Sequence, residues 1–211
     1  GYTRDCREGE GRLVAVCPGQ RDHDAMNALL KLSDNLRHML EVVARVSAWL
    51  LLIMAAVTCF DVLARKTGIP APLTKLQELE WHFHAALFSL WMGYGYTINA
   101  HPRVDSYTEN MTLRRKAWFE LFGCLLFALP YMAITAYHTL DFVSESYLLG
   151  EKSDSTVGLS YRWFIKGIYA AGIWLVVLGI FSVLLRLIVF LFGGPWKAKV
   201  DLPIGHVEAD I

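Results

Sequence analysis

Residues 81–116 read WHFHAALFSLWMGYGYTINAHPRVDSYTENMTLRRK, an apolar run that gives way to a polar loop and then to a basic cluster. The twenty residues 81–100 contain no Asp, Glu, Lys or Arg. At a helical rise of about 1.5 Å per residue they cover roughly the 30 Å of a bilayer's hydrocarbon core. The stretch is therefore predicted to cross a membrane.

Working outward, the same pattern returns on both sides, with uncharged runs at residues 46–60, 121–140 and 167–185. Of 211 residues 55% are hydrophobic and only 19% charged, and mean hydropathy is +0.35, so the apolar residues are gathered into runs. The expected fold is an all-α membrane protein with four transmembrane helices, over about residues 42–64, 79–100, 117–140 and 164–192. Residues 26–196 make one four-helix membrane domain, because nothing left outside the spans is long enough to bury an aqueous core.

The ends differ from this domain. Residues 1–25 mix Arg, Asp and Glu without an apolar run suited to a signal peptide, and are expected to be disordered or a non-native extension. From Met26 onward, Leu29, Leu32, Leu36, Met39 and Val43 recur at helical spacing among charged residues, which predicts an amphipathic N-terminal helix. Such a helix lies on the membrane surface or extends the first span inward. Residues 197–211 are expected to be a short, unstructured tail.

Within the spans several residues suggest local devices. Asp61 stands one turn before Arg65, so an i,i+4 pair is available at the end of the first span. Thr74 and Gln77 form a candidate capping box after the break at Gly68-Ile69-Pro70-Ala71-Pro72. Gly93, Gly95 and the Gly167, Ala171 step suit close helix packing, Pro130 predicts a kink, residues 144–149 read as a surface turn, and Arg186 is placed to snorkel toward the headgroups.

Charge sets the expected orientation. Ten basic residues (Lys31, Arg37, Arg45, Arg103, Arg114, Arg115, Lys116, Arg186, Lys197, Lys199) fall on the side of the termini and the central loop. Six (Arg65, Lys66, Lys75, Lys152, Arg162, Lys166) fall on the other. The positive-inside rule then puts both termini and the central loop in the cytoplasm. A net charge of zero with scattered Lys and Arg argues against a nucleic-acid partner.

No nucleophile-base-acid set, phosphate loop or metal-spaced cluster is visible, so no enzyme activity, cofactor or metal is expected. Cys6, Cys17, Cys59 and Cys124 form no CxxC pair. One alternative remains on the histidines: His82, His84 and His138 share a predicted depth, and facing histidines can hold a haem, as in the membrane anchor of a redox complex. A membrane adaptor without a transport role is a further alternative.

Taken in order, Gln77-Glu78-Leu79-Glu80-Trp81-His82, a span ending near Asn99, His101-Pro102-Arg103-Val104-Asp105, Arg114-Arg115-Lys116-Ala117-Trp118 and Arg162-Trp163 resemble the small, DctQ-like membrane subunit of tripartite ATP-independent periplasmic (TRAP) transporters. The resemblance runs over about residues 30–192. The family's HVRVD motif maps onto His101, Arg103, Val104 and Asp105, with Pro102 where the family has Val, which biases His101 toward extended backbone. The resemblance implies a bacterial inner-membrane subunit that scaffolds a large TRAP permease subunit. That partner holds the substrate path and sodium sites, while a periplasmic solute-binding protein delivers an organic acid such as a carboxylate. On the expected outer side, Glu80, Trp81, Arg162, Trp163 and Lys166 either anchor the chain in membrane lipid or contact a partner.

Overall fold

A computed structural model of the chain describes residues 18–100, 111–153, 155, 157–194 and 200–202. Among these residues six α-helices follow in order: α1 Pro18–Ser47, α2 Trp49–Thr67, α3 Leu73–Thr97, α4 Leu113–Gly123, α5 Leu129–Leu148 and α6 Arg162–Phe192. A single π-helical turn, Cys124–Ala128, joins α4 to α5. No strand occurs among the described residues.

Among the described residues, three helical stretches are long and apolar enough to cross a membrane: Asp24–Thr67, Leu113–Leu148 and Arg162–Phe192. The stretch 79–100, expected as the second of four spans, lies mostly in α3, which ends at Thr97 and does not reach the same hydropathy. Lys75, Glu78 and Glu80 open the helix, and His82, His84, Ser89, Tyr94, Tyr96 and Thr97 dilute its apolar residues.

Helix α6 is the centre of the bundle, packed by α1, α3, α5 and α4. Its buried face carries Val176, Ile180, Val183, Leu184 and Leu187. By contrast α2 buries only Asp61 and Ala64, and presents Trp49, Leu52, Phe60 and Leu63 outward. So much exposed apolar surface is stable where the surrounding medium is itself apolar.

Helices α3 and α6 run parallel along a seam of small residues. Ser89 faces Gly172, and Gly93 fits between Leu175 and Gly179. A Cβ at Gly93 would lie 2.7 Å from the Leu175 carbonyl oxygen, and one at Gly179 would lie 2.6 Å from that of Gly93. Only glycine permits this approach, as in close-packed membrane helices. The predicted Gly167, Ala171 step does not form the seam, because a Cβ at Gly167 meets nothing within 4 Å.

Local differences from the sequence reading have simple causes. The helix predicted from Met26 is α1, and it continues into α2 with a break only at Ala48. At that break the Ala44 carbonyl accepts from the Ala48 amide at 3.0 Å, the Ser47 hydroxyl at 3.0 Å and the Trp91 indole of α3 at 2.8 Å. One overloaded acceptor thus marks the joint. At the start of α3 the cap is Pro72 with no side-chain hydrogen bond, so Thr74 and Gln77 lie inside the helix and form no capping box. Pro130 has no amide to give the carbonyl four residues back, and just before it the ladder widens so that the Leu129 amide reaches the Cys124 carbonyl, five residues away. Residues 144–148, expected in a surface turn, continue α5.

Candidate functional site

The densest polar constellation on the expected outer side joins the start of α3, the connection at residues 149–161 and the start of α6. Two carboxylates pin that connection. Glu78, in the second turn of α3, accepts the Leu159 amide at 2.5 Å on one oxygen and the Ser153 hydroxyl on the other. Glu151 accepts from the Lys166 ammonium and, at 3.5 Å, from Arg162 of α6. Its backbone carbonyl also takes the Arg162 amide at 3.4 Å.

These bonds stabilise the ionised acids. The Leu159 amide and then the Ser153 hydroxyl hold the Glu78 carboxyl below its ordinary range. Bonding to the Lys166 ammonium does the same for Glu151. The backbone is equally constrained. Tyr161, which caps α6, sits at φ +67°, a left-handed conformation that costs a non-glycine residue of order 1–3 kcal/mol and persists only where its surroundings hold it. A Cβ at Gly158 would collide with Ser153 and Glu78, so glycine there is what lets the connection close over the acid.

Beneath this latch lies an apolar groove of about 510 Å³ between α5 and α6, walled by Leu140, Val143, Tyr147, Trp163, Gly167 and Trp174. Trp163 meets Tyr147 edge-on at 5.5 Å, and the Lys166 ammonium stands 3.9 Å from the centre of the Phe142 ring. The arrangement can hold a shaped polar cap over an apolar wall.

Of the outer residues singled out in the sequence, Arg162, Trp163 and Lys166 come together here. Glu80 and Trp81 do not join them. Trp81 points outward, 68% exposed, and one carboxyl oxygen of Glu80 is buried with no donor. Glu80 instead neighbours Arg65 of α2, which binds Asp61 at 2.7 Å and reaches the Leu73 carbonyl at 3.4 Å. The i,i+4 pairing of Asp61 with Arg65 is therefore formed. His101, Arg103, Val104 and Asp105 lie outside the described residues, as do 1–17 and most of 197–211.

The histidines have local surroundings. His82 Nδ1 lies 2.5 Å from the Glu78 carbonyl oxygen, His138 lies beside Asp141 at 3.8 Å, and His84 is exposed. Among the described residues no group of three or more His, Cys, Asp or Glu side chains is arranged to hold a metal ion.

The expected inner side carries a second constellation that sequence reasoning missed. Arg186, expected to snorkel, is only 7% exposed. Its Nε donates to the Ser33 hydroxyl at 2.9 Å, Nη1 to the Asp201 carbonyl at 2.8 Å, and Nη2 to the Asp34 carboxylate. Ser33 and Ser182 donate to each other's backbone carbonyls at 2.9 and 3.0 Å. The guanidinium is held by the neighbouring helix because five donors in a rigid fork can be satisfied there more fully than by reaching for water. The one available signal was that Ser33 and Asp34 fall beside the apolar stripe of α1.

Residues 54–190 match the family model described as Tripartite ATP-independent periplasmic transporters, DctQ component. No curated protein and no solved structure matches the chain.

Proposed function

This chain belongs to the DctQ component family of tripartite ATP-independent periplasmic transporters, and on that footing we propose that it is the small subunit that scaffolds a large permease during sodium-driven uptake of an organic acid. The family match over residues 54–190 is the observation that carries this reading, since it covers everything from mid-α2 to near the end of α6. The proposed substrate is a carboxylate delivered by a periplasmic solute-binding protein. The substrate path belongs to the permease.

In this reading α3 also crosses the membrane, as the second of four spans in chain order. Its 81–97 segment is uncharged and packs in parallel along α6, so the two cross together. Both termini and the loop of His101, Arg103, Val104 and Asp105 face the cytoplasm, and that loop ties the second and third spans. The latch of Glu78, Glu151, Arg162 and Lys166 faces the periplasm. It offers a fixed polar surface within reach of the solute-binding protein, while Trp81 and the outward faces of α2 and α5 sit in lipid or against the permease.

Co-expression tests the assignment. The large permease is expected to co-purify with this chain, and proteoliposomes holding both are expected to take up a carboxylate only with the binding protein and an inward sodium gradient. Equal uptake by the permease alone, with no co-purification, would refute the scaffold role.

A further inference from the structure

The shell around Arg186 is completed by a residue that no helix supplies. Two of the three partners of its guanidinium, Ser33 and Asp34, come from α1. The third is the backbone carbonyl of Asp201, at 2.8 Å. The Asp201 carboxylate reaches Arg37 of α1 at 3.2 Å, one turn beyond Ser33. The next residue, Leu202, packs against the buried cluster of Ala117, Val183, Leu187 and Leu191, which joins α4 to α6. A few residues thus touch α1, α4 and α6 at once, with two positive and two negative side chains in balance.

The contacts of α1 make this arrangement consequential. Among its described residues the fully buried ones are Ser33, Leu40, Ala44 and Ser47, so toward its inner end the fully buried contact with α6 is the hydroxyl of Ser33 on Ser182 and Arg186. A helix held by polar groups in a low-dielectric setting depends on every one of them being satisfied, because an orphaned donor costs more than the bond itself contributes. We propose that the segment around Asp201 is a strap that locks α1 onto α6, so that α1 is fixed in the bundle only while the strap is seated.

Hydrogen–deuterium exchange of the full chain in lipid nanodiscs tests this, alongside a Leu202→Asp variant and a chain lacking residues 200 onward. With the strap dislodged, amides of residues 33–47 are expected to exchange at least about tenfold faster, while residues 86–97 and 170–180 keep their protection, as local opening of one unit requires. Asp201→Asn, which keeps the carbonyl and Leu202 but loses the charge, is expected to change α1 by only about twofold, as fits an exposed ion pair. Unchanged α1 exchange in both disrupted chains would overturn the strap. So would a uniform rise that includes α3 and α6, since these residues would then support the whole bundle.

Discussion

The two ends of α6 hold charge in opposite ways. At its start, Arg162 and Lys166 meet Glu151 from the connection just before the helix, so the partners are 11 and 15 residues apart and partly open to water. At its end, Arg186 is buried and meets Ser33 and Asp34, 153 and 152 residues away in the chain. The first cluster shapes a loop; the second fastens one helix to another. Their loss should accordingly look different, confined to the connection at the outer end and spread along a whole helix, α1, at the inner.

The sharpest way to break the contrast is Arg186→Ala. It removes the donor to Ser33, Asp34 and the Asp201 carbonyl at one stroke and leaves a void, so a loss on the order of 3 kcal/mol is expected in equilibrium unfolding in detergent. A loss no larger than that of an exposed charge would erase the distinction. Next comes the seam between the two ends. Gly93→Val drives side-chain atoms into the Leu175 backbone and is expected to cost about 1–3 kcal/mol in the same measurement. A neutral result would mean that the clamps, rather than the small residues, set the spacing of α3 and α6.

The outer latch is expected to respond to acid. Glu78 and Glu151 both have carboxyls held below their ordinary range, so the folded state binds their protons less readily than the unfolded chain. Their stabilisation is complete above the ordinary carboxylate pKa and is lost as pH falls through the lowered folded values. Proteolysis within residues 149–161 should therefore rise on acidification while the helices stay protected, and the Glu78→Gln, Glu151→Gln double variant should show that susceptibility already at neutral pH. The smallest effect is expected from Arg45→Ala, which breaks an exposed i,i+4 pair with Glu41 at 2.5 Å and should cost no more than about 0.5 kcal/mol. It serves as the baseline against which both ends of α6 are read.

Much of this was legible from the residues alone where the physics is local. The uncharged runs gave the helices, Asp61 and Arg65 gave their own pair, and Arg162, Trp163 and Lys166 marked the outer cluster because they recur at the start of one span. The pairing of Glu78 with Ser153 escaped notice, since they lie 75 residues apart and nothing in either neighbourhood announces the other. Arg186 was misread for the same reason. A long cation near a helix end has a default destination in water, and only the presence of Ser33 and Asp34 across the interface changes it.

The amino-acid sequence by itself determined that the chain is helical, that it belongs in a membrane, and to which transporter family it is related. Each of those follows from hydropathy, spacing or motif order within a few tens of residues. Which faces meet was decided only in three dimensions: Gly93 against Gly179, Arg186 against α1, and Glu78 under the 149–161 connection. A helix closes its hydrogen bonds four residues away and needs no partner to exist. Its neighbours are chosen by the fit of small residues and the satisfaction of buried charge, which depend on atoms far apart along the chain.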